Sequence, residues 1–101
     1  MSITTLAATI AARQKADPDS SWTARLLAKG PEACARKFAE ESTEAVIEAI
    51  KGDVPKLTAE AADVIYHLLV MCAARGVTLG DIEAELARRS HQSGLQEKAA
   101  R

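Results

Sequence analysis

Three glutamates lie close together in the stretch KFAEESTEA, residues 37–45: Glu40, Glu41 and Glu44. At about 100° of rotation per residue, a helix places them within roughly a third of its circumference. Such a face is commonly solvated and supported by pairs such as Lys37 with Glu41, each worth about 0.2–0.5 kcal/mol. The alternative is that these carboxylates face another element and share a cation with it.

A second polar strip interrupts an otherwise apolar helix in TAEAADVIYHL, residues 58–68. Glu60, Asp63 and His67 recur there at helical spacing, in line with Lys56. A helix that is apolar all round is expected to be buried, and a buried carboxylate without a partner is strongly destabilising. The strip must therefore meet positive charges, take up protons or bind a metal.

The ligand types favour a hard cation. Carboxylate oxygens without a paired set of cysteines suit Mg²⁺ or Mn²⁺, and Mg²⁺ also keeps several waters and binds substrate phosphates. A lone His67, one turn beyond Asp63, is expected to hydrogen-bond beside such a site or to pack in the core. Mg²⁺ is therefore the predicted cofactor, with Mn²⁺ as the alternative.

Turn and cap signals divide the chain into five predicted helices. Gly30 and Gly52 end the second and third, and Thr78 with Asp81 resembles a capping box at the start of the fifth. The predicted helices span about residues 3–16, 22–29, 31–51, 53–76 and 78–89. The tail beyond them has no strong pattern.

These elements predict an all-α fold, an antiparallel bundle of four to five helices in one domain, residues 1–101. No stretch alternates apolar and polar residues as a strand does. Two long helices joined around Gly52 must lie nearly antiparallel, so the acidic stretches face each other. With only one Trp, one Tyr and one Phe, a monomeric core is thin, and we expect dimerisation to complete the bundle.

Composition argues against several classes of function. The formal net charge of -1 offers no general attraction to nucleic acid or anionic membranes. No segment approaches a bilayer-spanning run of about 18 apolar residues, and no charged leader precedes the apolar N-terminus. Cys34 and Cys72 lack CxxC spacing, which is typical of buried thiols in a reducing compartment. We therefore expect a cytoplasmic protein.

Two motifs carry a resemblance to a known family. EESTE, residues 40–44, followed by EAAD, residues 60–63, resembles the EExxE…ExxD signature of the all-α, MazG-like nucleoside triphosphate pyrophosphohydrolases. Three longer segments together resemble the phosphoribosyl-ATP pyrophosphatases of histidine biosynthesis: SWTARLLAKGPEACARKFAEESTEAVIEAIKGD, EAADVIYHLLVMCAARGVTL and QSGLQEKAAR. Ala39 departs from the family's usual glycine and removes no ligand.

The resemblance implies a homodimeric, Mg²⁺-dependent hydrolase. Its implied reaction is hydrolysis of 1-(5-phosphoribosyl)-ATP to 1-(5-phosphoribosyl)-AMP and pyrophosphate, the second step of histidine biosynthesis. By family analogy, the metal ligands are Glu41, Glu44, Glu60 and Asp63. Glu40 is a candidate base or second-metal ligand, and the glutamate that activates water remains open between Glu40 and Glu41.

Several cationic residues could contact the substrate phosphates: Lys29, Lys37, Lys56, Arg89, Lys98 and Arg101. Lys37 is the strongest candidate because it shares the carboxylate face. Only the resemblance suggests that the QSGLQEKAAR tail closes over substrate or a partner. Trp22 either packs or stacks on adenine, and its packing role is favoured.

Two other hypotheses about function are compatible with these acidic residues. The same metal site could act on free nucleotides such as dUTP, dCTP or a damaged triphosphate. Alternatively, the acidic strip could be an ion-paired register device in a non-catalytic helical protein. That second rival needs matching cations, and only Lys56 is near the Glu60/Asp63 strip in sequence.

Overall fold

The computed structural model describes residues 1–90 and 94–100 and confirms the all-α prediction. Six helices follow one another along the chain: α1 Ile3–Arg13, α2 Trp22–Ala28, α3 Pro31–Lys51, α4 Val54–Ala74, α5 Leu79–Arg89 and α6 Gly94–Ala100. The described residues contain no strand. The short α6 was not predicted, because its seven residues are too few for a periodic pattern.

Local sequence signals account for the helix ends. Side chains cap four N-termini by accepting a backbone N–H: Ser2, Ser21, Asp53 and Thr78. The predicted capping box is confirmed, since Thr78 and Asp81 each accept a backbone N–H from the other. Gly30 and Gly52 adopt positive φ values of 95° and 78°, which glycine tolerates without steric cost.

The α3–α4 hairpin is the main structural unit. Gly52 ends α3 in the left-handed conformation, and Asp53 caps α4 immediately afterwards, so the chain reverses within two residues. The two 21-residue helices then pack along much of their length, while α1 and α2 pack mainly on α4. This antiparallel arrangement places the acidic stretch of α3 opposite the polar strip of α4.

The core is small and lies where α1, α2 and α3 meet the second half of α4. Its buried apolar cluster is Ile10, Leu26, Cys34, Leu69 and Val70. The Cys34 thiol donates to the Leu26 carbonyl at 3.3 Å, which confirms it as a core residue, and Cys72 is half-buried. The apolar run of α4, residues 64–72, is buried or partly buried as expected, whereas Val54 at the start of the helix is 69% exposed.

By length and hydropathy alone, α4 could cross a membrane. The core helices of soluble proteins satisfy the same criteria. The packing of α4 against α1, α2 and α3 and its polar strip of Glu60, Asp63 and His67 favour a core helix.

Candidate metal centre

Three carboxylates from facing helices converge between α3 and α4. Glu41 of α3 and Glu60 and Asp63 of α4 each offer an oxygen, and these oxygens lie within 4.8 Å of one another. Opposite ligands of Mg²⁺ are about 4.2 Å apart, twice a metal–oxygen distance of about 2.1 Å. Small side-chain rotations would therefore bring this carboxylate cluster, defined as Glu41, Glu60 and Asp63, to coordination distance.

Glu60 shows why a cation fits. Its Oε2 atom is buried and has no hydrogen-bond partner among the residues that the structure describes. Burial raises the pKa of Glu60, and repulsion from Glu44, Glu41 and Asp63 raises it further. A divalent cation would satisfy the orphaned oxygen and offset that repulsion. The all-oxygen donor set and this unpartnered atom together fit Mg²⁺ or Mn²⁺.

Lys37 contacts the cluster from the preceding turn of α3. Its Nζ lies 3.5 Å from Glu40 Oε2 and 3.6 Å from Glu41 Oε1. Partial burial acts to lower the pKa of Lys37, but attraction and hydrogen bonding from Glu40 and then Glu41 outweigh it, so the pKa is raised overall. The ammonium is therefore charged at neutral pH and is available to a phosphate oxygen at the edge of the cluster.

His67 lies one turn beyond Asp63 and is only 6% exposed. Burial lowers its pKa; the Lys37 charge acts in the same direction, whereas Glu41, Asp63 and Glu40 oppose it. The imidazole is therefore neutral at pH 7. Its Nδ1 has no hydrogen-bond partner among the described residues, so the ring is a buried polar group beside the cluster and not one of the three converging ligands.

The other two predicted site glutamates lie at the edge of the cluster. Glu44 is exposed, and its carboxylate is close enough to Glu60 to raise the pKa of that residue. A side-chain rotation would bring it to the same cation. The Glu40 side chain is 65% exposed and is paired with Lys37. It therefore stands outside the three converging oxygens.

Two more predicted phosphate contacts occupy different positions. Lys56 is exposed in the first turn of α4, one turn before Glu60. Lys29 follows the last residue of α2, and its Nζ lies over the Trp22 ring, 5.9 Å from the ring centroid. Trp22 is half exposed, so the favoured packing role accounts for only the buried half of its side chain.

Arg89, a predicted phosphate contact, is hydrogen-bonded to another residue of α5. Arg89 Nε donates to Glu85 Oε1 at 3.0 Å, and hydrogen bonds from Arg88 and Arg89 lower the pKa of Glu85 to about 2. Lys98 is exposed on α6. Arg101 and the first part of the predicted tail closure lie outside the described residues.

The structure adds one buried acid, Glu48, that the sequence did not single out. The Glu48 side chain is just 12% exposed, and its Oε1 lies 3.8 Å from Lys51 Nζ. It continues the stripe of Glu41 and Glu44 by one helical turn, so it faces α4 as they do. The helical spacing of Glu41, Glu44 and Glu48 was the sequence signal that could have predicted the burial of Glu48.

Comparison with known proteins agrees with this geometry. A family profile described as phosphoribosyl-ATP pyrophosphohydrolase matches residues 3–90. The chain belongs to the phosphoribosyl-ATP pyrophosphohydrolase family. Relatives named phosphoribosyl-ATP pyrophosphatase are 70% identical in Dinoroseobacter shibae, over 95% of this chain and 94% of the relative, and 70% identical in Ruegeria pomeroyi, over 95% and 91%. A third, from Paracoccus denitrificans, is 68% identical over 95% and 89%.

Membership of the phosphoribosyl-ATP pyrophosphohydrolase family establishes the protein as a hydrolase. The matched residues include α1 to α5 entirely and therefore all three members of the carboxylate cluster.

Proposed function

We propose that the protein hydrolyses 1-(5-phosphoribosyl)-ATP to 1-(5-phosphoribosyl)-AMP and pyrophosphate, the second step of histidine biosynthesis, with Mg²⁺ as cofactor. The observation that carries the proposal is the convergence of Glu41, Glu60 and Asp63 in a chain whose relatives are named for this substrate. One water is consumed, the α–β phosphoanhydride bond breaks, and pyrophosphate leaves.

Four carboxylates would hold the cation: Glu41, Glu44, Glu60 and Asp63. When bound, Mg²⁺ neutralises phosphate charge and lowers the pKa of a bound water, and Mn²⁺ can supply the same chemistry. The protein's own contribution is to hold these side chains on two rigid helices, so that little reorganisation is needed when substrate arrives.

The remaining polar groups divide the other tasks. Lys37 binds a phosphate oxygen, because its ammonium lies at the open edge of the cluster next to Glu40. Glu40 accepts the proton of the attacking water, since its exposed carboxylate is adjacent to the cluster but outside the converging set. Lys29 and Lys56 remain candidates for further phosphate contacts.

The substrate assignment is tested by measuring pyrophosphate release from phosphoribosyl-ATP, with and without Mg²⁺, beside ATP, dUTP and dCTP. We expect metal-dependent release from phosphoribosyl-ATP and at least about tenfold lower kcat/KM on the free nucleotides. Equal or faster pyrophosphate release from a free nucleotide would leave the proposed metal site in place but make a free nucleotide the substrate. If the folded protein releases no pyrophosphate from any of these compounds and binds no Mg²⁺, the non-catalytic hypothesis is favoured.

Two copies of the chain associate into a homodimer in this proposal. Support comes from the small core and from an uncovered apolar patch at the closed end of the hairpin, defined as Val46, Ile47, Ile50 and Val54. Ile50 alone is 82% exposed. In addition, α5 contains no buried residue and leaves Leu86 open to solvent. A second copy would cover such surfaces.

Light scattering after size-exclusion chromatography is expected to give twice the 10.7 kDa chain mass. Ile50→Asp should shift the protein toward the monomer, because burying a new carboxylate in an apolar interface is unfavourable. Ala12→Asp, at an exposed position on α1 outside the apolar patch, is the matched control and should remain dimeric. A monomeric wild type, or an Ile50→Asp protein that stays fully dimeric, would contradict the assignment of this patch to the interface.

A cytoplasmic location without nucleic-acid or membrane partners is part of the same proposal. It is supported by the formal net charge of -1 and by the packing of α4, a helix apolar enough to span a membrane, against α1, α2 and α3.

A further inference from the structure

Trp22 has more open surface than a packing role requires. It is the only tryptophan of the chain, it is the first residue of α2, and it is 52% exposed. Lys29 Nζ lies over its ring at 5.9 Å from the centroid, a distance typical of a cation–π contact. The indole is therefore held by a charged neighbour while much of its surface remains accessible to a ligand.

A short series of contacts links the first turn of α2 to the part of α4 that lies beside the carboxylate cluster. The hydroxyl of Thr23, the residue next to Trp22, is hydrogen-bonded to the Tyr66 hydroxyl. Tyr66 lies edge-on to His67, with ring centroids 4.9 Å apart and planes at 79°. His67 in turn lies one helical turn beyond Asp63 on α4. The first turn of α2 is thus attached to the segment of α4 that follows Asp63 by one helical turn.

We propose that Trp22, supported by Lys29, is the platform on which the purine base of the substrate stacks. This inference rests on the proposed function for its substrate. A flat aromatic surface binds a base through stacking, and the cation–π contact with the Lys29 ammonium helps to hold the indole in place. Lys29 acts here as a positioning residue, because it orients the indole, and this role is separate from its candidacy for a phosphate contact.

The platform has a direct spectroscopic test, because Trp22 is the only indole in the chain. Emission from the metal-free protein is recorded during titration with AMP, using excitation that tyrosine does not absorb. We expect saturable quenching by AMP and none by ribose 5-phosphate, which lacks the base. Free N-acetyltryptophanamide in the same solutions corrects for absorption by the nucleotide. Equal, non-saturating quenching of the protein and the free indole would overturn the inference.

Kinetics of three variants on phosphoribosyl-ATP provide the second measurement. Trp22→Ala should raise KM about 5- to 100-fold with kcat within about twofold, as expected for loss of a stacking contact that does not change in the transition state. Trp22→Phe retains an aromatic ring and should recover most of the affinity. Lys29→Met should raise KM by a smaller factor than Trp22→Ala. Lys15→Met removes an exposed lysine that, in the described part of the chain, makes no cation–π contact with Trp22 and should leave KM unchanged.

The outcomes separate this inference from the proposed function. If the wild type does not hydrolyse phosphoribosyl-ATP, the function fails, and the AMP titration still decides whether Trp22 binds a purine nucleotide. If hydrolysis is normal while Trp22→Ala keeps the wild-type KM, the function stands and the platform is overturned. Conversion of the dimer to a monomer by Trp22→Ala would also overturn it, because Trp22 would then be an interface residue.

Discussion

Replacing Glu41 with glutamine is expected to abolish turnover and Mg²⁺ binding while leaving the helices intact. Glu41 is the only member of the carboxylate cluster on α3, and its side chain is just 13% exposed. The neutral amide keeps the size of the side chain but replaces an anionic ligand oxygen. We expect loss of Mg²⁺ affinity beyond the roughly 10–100-fold that follows loss of an outer-shell partner, measured by calorimetry, with an unchanged circular dichroism spectrum.

Glu40→Gln is the matched control, because it makes the same chemical change one residue earlier. Glu40 stands outside the converging oxygens, so this variant should retain Mg²⁺ binding close to the wild type. If Glu40 is the base, kcat falls by about 10²–10⁴-fold while metal binding persists. Near-normal turnover in Glu41→Gln would remove Glu41 from the site, and loss of Mg²⁺ binding in Glu40→Gln would make Glu40 a ligand.

Replacing Glu60 with glutamine is expected to stabilise the metal-free protein and to eliminate its stabilisation by Mg²⁺. In the wild type, the ionised Glu60 is partly buried and repelled by Glu44, Glu41 and Asp63. The amide removes that repulsion, so the melting temperature without metal should rise. Addition of Mg²⁺ should raise the melting temperature of the wild type, because ligands that bind only the folded state stabilise it, and should have little effect on the variant.

The pH dependence of stability provides a control for this explanation. The pKa of Glu60 is raised in the folded protein, so the folded state binds its proton more tightly than the unfolded state does. The stabilisation from this group is complete below the ordinary glutamate pKa and is lost as pH rises through the raised pKa. Glu60→Gln should remove that decline from the metal-free protein. A variant less stable than the wild type at neutral pH would contradict the repulsion argument.

Much of the site could be predicted from the sequence because it depends on helical spacing and one turn. Glycine at position 52 followed by the Asp53 cap predicts a tight reversal, and the structure has it. Once α3 and α4 are antiparallel, the spacing alone brings acidic side chains of the two helices face to face. The convergence of Glu41, Glu60 and Asp63 therefore follows from local rules.

The features that the sequence did not predict depend on tertiary contacts. The rotation of α3 about its own axis decides which of its charged side chains are buried, and it leaves Glu48 buried. The pairing of Thr23 with Tyr66 joins residues 43 positions apart and has no sequence signal.

The most direct test of the account is to identify the products of phosphoribosyl-ATP by phosphorus NMR, with Mg²⁺ and after its removal by chelation. The account predicts phosphoribosyl-AMP and pyrophosphate in equal amounts with the metal, no reaction without it, and full recovery when Mg²⁺ is restored. Inorganic phosphate and phosphoribosyl-ADP as the first products, or an undiminished rate in the chelated protein, would contradict it.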